Sequence, residues 1–238
     1  MSSVHIITPV KNSINSTIET IKSVLASRLS ATSTYTVYND FSTPENTIRL
    51  KEASTQLGFS LVNLSDITTH TSPNYLLMLQ LEQQQCLKEQ ADLVIVESDV
   101  VVEQDTIESL YKGAQQLPYC ALCAAVTTDE KGHVNYPYSY AEKLPKAVCE
   151  VKKHCSFCCT LLTNKFLRSF DFRQLDDTKN WFDVTISHKS LQLGFKNYLF
   201  VNLTVLHRPH SSRPWKHLKY KNPLKYYWYK FTRHIDKI

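Results

Sequence analysis

Glycine is scarce in this chain, with 4 among 238 residues. Neither a Walker-type loop nor a GxGxxG motif occurs, which excludes a glycine-rich backbone cradle for phosphate. Long apolar runs are missing as well. No stretch approaches the roughly 18 apolar residues of a membrane-crossing helix, and the first residues lack the pattern of a secretory signal. The expected location is therefore cytoplasmic, with the inner face of the cytoplasmic membrane as the one membrane surface within reach. Internal repeats and low-complexity linkers are absent too. With 42% apolar and 21% charged residues the composition is that of a folded protein, and disorder explains nothing here. The 7 cysteines are odd in number and, without a signal, are expected as reduced thiols. Cys120/Cys123 and Cys155/Cys158 have CxxC spacing, with His154 beside the second pair, which formally invites zinc. Both pairs lie in apolar, strand-like sequence, where side chains three apart point to opposite faces, so packing as small hydrophobes is expected instead.

What is present is organised around Leu93-Val94-Ile95-Val96-Glu97-Ser98-Asp99-Val100-Val101-Val102. A β-branched run of this kind reads as a fully buried strand, and it delivers two carboxylates where it ends. In open α/β sheets ligands collect at the carboxyl ends of strands, and a divalent cation would relieve the repulsion between Glu97 and Asp99. Before this strand the pattern alternates. Strands are predicted over 4–10, 35–38 and 59–64. The first helix is predicted from a capping-box spacing at Ser16 and Glu19, the second ends at Gly58, and the third covers 75–90. After it come an amphipathic helix marked by Ile107, Leu110, Ala114 and Leu117, and a buried strand over 120–126. Beyond Thr127 shorter polar segments predict an excursion that shapes a pocket. The chain then returns to the sheet over 156–163, forms a helix containing Asp183 and ending at Gly194, and closes with a strand over 204–207. The prediction is a mostly parallel sheet with helices on both faces, over residues 1–212.

Residues 213–238 are a separate piece. There Trp215, Tyr220, Tyr226, Tyr227, Trp228, Tyr229 and Phe231 interleave with lysines and arginines, a composition suited to a peripheral membrane contact with anionic head groups, to single-stranded nucleic acid or to ordinary packing.

Thr8-Pro9-Val10-Lys11-Asn12, Asn39-Asp40-Phe41-Ser42-Thr43-Pro44, Glu97-Ser98-Asp99, Trp181-Phe182-Asp183 ahead of Gly194-Phe195-Lys196, and His207 follow one another in the order found in family-2 glycosyltransferases of the GT-A fold. The chain resembles that family over roughly 4–207. The resemblance implies a nucleotide-diphosphate-sugar donor, bound through Pro9, Val10, Asn12, Asp40, Glu97, Ser98 and Asp99, and inversion at the anomeric carbon. It implies a metal on Asp99 and a general base at Asp183. The family's other acidic positions hold Phe182 and Thr185 here, and Asp176 and Asp177 are the nearby alternatives. His207, at a strand end, is the second metal-ligand candidate, with His210 as a substitute. A mixed carboxylate and imidazole shell suits Mn²⁺ somewhat better than Mg²⁺. The implied acceptor is a hydroxyl of a glycan or lipid-linked glycan, such as a bacterial surface polysaccharide or lipooligosaccharide. A donor-binding protein without catalysis, or a nucleic-acid-binding module, are the rival readings; no nucleic acid is expected as partner. Tyr136, Tyr138 and Tyr140 are available to stack on a sugar.

Overall fold

A computed structural model of the chain describes residues 3–179, 181–208 and 222–232. Nine strands form one sheet. They are β1 (Ser3–Val10), β2 (Thr32–Asn39), β3 (Ser60–Asn63), β4 (Asp92–Val96), β5 (Val100–Val101), β6 (Cys120–Thr128), β7 (Val148–Val151), β8 (Cys159–Leu162) and β9 (Lys196–His207). Their order is β3-β2-β1-β4-β8-β6-β9-β5, with β7 also paired to β9. The block β3-β2-β1-β4 is parallel throughout, as the alternating sequence requires. β8 inserts antiparallel between β4 and β6, and β5 and β7 run against β9, so β1, β2, β3, β4, β6 and β9 share one direction.

Alternate residues of the central strands face opposite layers. Ile7, Leu93 and Ile95 pack with Met78, Leu79 and Cys86 of α3 (Tyr75–Glu89), with Phe166 of α5 (Asn164–Ser169) and with Phe182 and Ile186 of α6 (Phe182–Gln192). Val4, Ile6, Val94 and Val96 pack on the other side with Val24 of α1 (Ile14–Leu25) and Ile107, Leu110 and Ala114 of α4 (Thr106–Gln116). A third cluster joins α1 to α2 (Pro44–Leu57) through Ile21, Val37 and Leu50. This period-2 division of one apolar run between two helical layers is what buries β4 completely. On α4, Gly113 admits the Phe200 ring of β9 so closely that a Cβ there would stand 2.3 Å from it.

Several expectations need correction. The capping box at Ser16 and Glu19 does not form: α1 starts at Ile14, Ser16 bonds back to the carbonyl of Ser13, and Glu19 instead pairs with Arg208. The last strand begins at Lys196 rather than at 204, with a bulge after Ala125 of its partner that lets one long strand serve β7 with its first half and β5 with its second. Neither β7 nor α5 was expected. The cysteines pack as free, mostly buried thiols, and Cys155 and Cys158 fall in different core clusters, but Cys120 and Cys123 do not face opposite sides. A register shift between Cys120 and Leu122 brings Cys120 and Cys123 into the same core cluster, and the Cys120 thiol helps burial to raise that of Cys123. All seven cysteines are free, and six are buried.

Candidate active site

The shared direction of β1, β2, β4 and β9 brings Val10, Asn39, Val96 and His207 to one rim of the sheet. Glu97, Ser98 and Asp99 form the turn that leaves β4, closed by a hydrogen bond from the Val100 amide to the Glu97 carbonyl. β5 then pairs with the end of β9, Val100 opposite His207, and the Arg208 amide donates to the Asp99 carbonyl at 3.0 Å. This register sets Asp99 beside His207, with Nε2 of the ring 3.6 Å from a carboxylate oxygen and both side chains buried. At that distance the pair is an ionic contact rather than a hydrogen bond.

The other ring nitrogen is already committed. Nδ1 of His207 lies 2.8 Å from the Tyr136 carbonyl, which requires it to carry a proton and to donate. The excursion after β6 holds the backbone too, since Asn135 donates its side-chain N–H to the His207 carbonyl. An imidazole fixed through Nδ1–H by a carbonyl presents Nε2 as its available donor, the arrangement that orients histidine ligands toward metals. Burial lowers the pKa of His207, but the carboxylates of Asp99 and Glu97 outweigh it and the net shift is upward. A divalent cation would displace that proton. Two ligand atoms each about 2.1 Å from one ion can lie up to about 4.2 Å apart, so Asp99 and His207 fit a shared cation by distance and by donor type.

Asp183 sits in the first turn of α6, where a negative charge is favoured, and accepts the Val184 amide at 2.9 Å. Burial pushes the Cys158 thiol up, and the negative charges of Glu97, Asp99 and Asp183 each raise it further. Tyr75, at the start of α3, stacks on Phe157 and Phe182, with centroids 6.4 and 6.3 Å away.

The first two loops are tied together by residues expected to touch a donor. Asn12, at φ 64°, receives the Thr43 amide on its side-chain oxygen and donates its own amide to Ser42. Pro9 and Val10 end β1, and the Val10 carbonyl accepts the Asp40 amide. Asp40 accepts three hydrogen bonds, from the Ser72 hydroxyl and from the amide and side chain of Asn74. Its carboxylate thus holds the loop before α3, a role its sequence motif does not announce. Asp176 caps its own turn by accepting from the amide and hydroxyl of Thr178. Tyr138 is fully buried and bonded to Ser156, which removes it from sugar stacking. His210 lies outside the described residues. The helpers Ser72, Asn74, Asn135 and Tyr136 carry no sequence signal, because Tyr136 acts through its carbonyl and all four have partners far away in the chain.

This architecture is a GT-A-like glycosyltransferase fold. Three solved structures similar to it are glycosyltransferases. They include a mannosyltransferase from Pyrobaculum calidifontis, PcManGT, in complex with GDP-Man and Mn²⁺, at 14% identity and a TM-score of 0.62 over 96% of this chain. TarS from S. aureus (residues 1–349) shares 11% identity at a TM-score of 0.64 over 86% of the chain. GalNAc-T7 with UDP, GalNAc and Mn²⁺ shares 12% at 0.62 over 88%. The chain spans 64%, 60% and 44% of those three proteins. No family model matches the sequence, and no curated protein matches it. The narrower likeness to family 2 therefore rests on the order of its motifs.

Proposed function

We propose that this chain is an inverting, metal-assisted glycosyltransferase that moves a sugar from a nucleotide-diphosphate donor to a hydroxyl of a glycan or lipid-linked glycan. The observation that carries this reading is the Asp99–His207 pair, buried at the rim with one ring nitrogen pinned and the other turned to the carboxylate. Asp99 and His207 would hold Mn²⁺ or Mg²⁺, which would supply charge stabilisation to the departing diphosphate. Pro9, Val10, Asn12 and Asp40 shape the ground on which the nucleotide rests, with Asp40 fixing the loop through Asn74. Glu97 and Ser98 line the donor beside Asp99. Asp183 accepts the proton of the acceptor hydroxyl as its oxygen bonds to the anomeric carbon, while the bond from that carbon to the phosphate oxygen breaks on the opposite face. The first turn of α6 favours a negative charge at Asp183.

A panel of nucleotide sugars with Mn²⁺, read by thermal stabilisation and by release of nucleoside diphosphate, tests the reading. A ligand present at a hundred times its Kd stabilises by about 2.7 kcal/mol, enough to shift the melting temperature visibly. One donor should both stabilise and be turned over. Stabilisation without any release leaves the non-catalytic donor-binding alternative, and a panel without response overturns both.

A further inference from the structure

The last described element, α7 (Pro223–Thr232), buries Tyr226 at 3% exposure but leaves Leu224, Tyr227, Trp228 and Phe231 at 85, 58, 66 and 82%. At about 100° per residue those four fall within a single arc of about 100°, and Tyr226 lies on the far side. A helix that anchors one aromatic and turns four large apolar side chains outward has a face without a partner among the described residues. The two lysines are placed to match. Lys225 and Lys230 flank the stripe on either side, each about 110° from its centre by the same spacing, and Nζ of Lys225 lies 5.7 Å from the centre of the Tyr229 ring.

Charge separates this end of the chain from everything before it. Residues 208–238 contain nine Lys and Arg against one Asp, a net +8, so residues 1–207 carry 18 basic and 21 acidic side chains, a net −3. An acidic body and a basic, aromatic end do not suit a second copy of the same stripe, which would set lysines against lysines. They do suit a surface that is negative outside and apolar beneath.

We propose that α7 docks in the interfacial layer of an anionic lipid bilayer, with Leu224, Tyr227, Trp228 and Phe231 inserted and Lys225 and Lys230 at the phosphate level. The helix is too short to cross a membrane, and no helix among the described residues is long and apolar enough to do so. It lies along the surface instead, held by apolar insertion and by roughly fivefold in binding for each nearby basic residue. This inference does not depend on the transfer reaction, because lipid binding is measured without donor or acceptor.

Flotation of the full chain with vesicles of phosphatidylcholine containing about one-third phosphatidylglycerol tests it, alongside W228E/F231E and vesicles of phosphatidylcholine alone. Both substituted side chains are exposed, so the variant should keep the wild-type melting temperature. The wild type should float with the anionic vesicles and fall at least tenfold in recovery in the variant, on neutral lipid, or in 0.5 M salt. Equal recovery of wild type and variant overturns the proposal. So does a failure to float combined with variant-sensitive self-association in sedimentation, or with variant-sensitive binding of a single-stranded oligonucleotide.

Discussion

Two histidines are buried among the described residues, and both face carboxylates. His5, near the start of β1, sits between Glu82 and Glu89 of α3, with Nδ1 at 3.2 Å and Nε2 at 3.0 Å from their oxygens. His207, at the end of β9, meets one carboxylate and one carbonyl. By proximity alone His5 looks like the better cation site, since its ring, Glu82 and Cys86 place three ligand atoms within 4.8 Å of one another. Chemistry says otherwise. Both ring nitrogens of His5 are engaged by acids, the Tyr38 hydroxyl takes the other oxygen of Glu82 at 2.5 Å, and burial pushes the Cys86 thiol upward, away from the thiolate a metal would need. The hydrogen bond to Glu82, with help from Glu89, raises the pKa of His5 against the opposing effect of burial. His5 is thus an imidazolium that fastens α3 to the sheet. His207 keeps one nitrogen in play. In the proposed reading, the same residue types become a structural rivet or a ligand pair according to how many ring nitrogens the fold has already used.

The largest effects should come from the His207 end. Asp183→Asn is expected to lower turnover by roughly a thousandfold while leaving donor binding, followed by calorimetry, nearly intact. Unchanged turnover would remove Asp183 from the reaction. Asp99→Asn and His207→Ala should abolish the Mn²⁺ response of donor hydrolysis, whereas His5→Gln should leave that response alone. A shifted metal requirement in His5→Gln would break the distinction between the two histidines.

At the His5 end the readout is stability. Glu82 is 3% exposed, and Glu82→Ala strands a buried imidazolium and the Tyr38 hydroxyl, a loss of about 3–5 kcal/mol in denaturant unfolding. Gly113→Ala forces a Cβ against the Phe200 ring and should cost about 1–3 kcal/mol without touching the rim. Glu89 is half-exposed, so Glu89→Gln should cost under about 1 kcal/mol. The pH dependence follows from the sign of the shift. Because the folded-state pKa of His5 is raised, its contribution is complete below about 6.5, the unfolded value, and fades as pH rises through the folded one. Melting temperatures of wild type and His5→Gln should therefore converge as the pH rises above about 6.5, and a constant gap would show that His5 is neutral in the fold.

Much of this was legible beforehand, and unevenly so. The first half announced itself, because each strand and helix of β1 through β4 buries a face whose period is written locally, as in Leu93 to Val96. The second half did not. Of the four residues of β7 only Val151 is buried, and they form a strand because β9 offers an edge. The CxxC of Cys120 and Cys123 follows a bulge, not the ideal alternation of a strand. Asp40 stood out in its motif, yet its bonds to Ser72 and Asn74 depend on a loop more than thirty residues away.

The sequence by itself determined the elements of the parallel block, the scarcity of glycine that excludes a backbone phosphate cradle, and the acids at the end of β4, since each is a property of neighbouring residues. Only the tertiary structure decided that His207 would lie beside Asp99, that a carbonyl from the excursion would hold its ring, and that His5 would be spent on packing. Those outcomes depend on strand direction and register, and both are set by which distant segments bury each other's apolar faces.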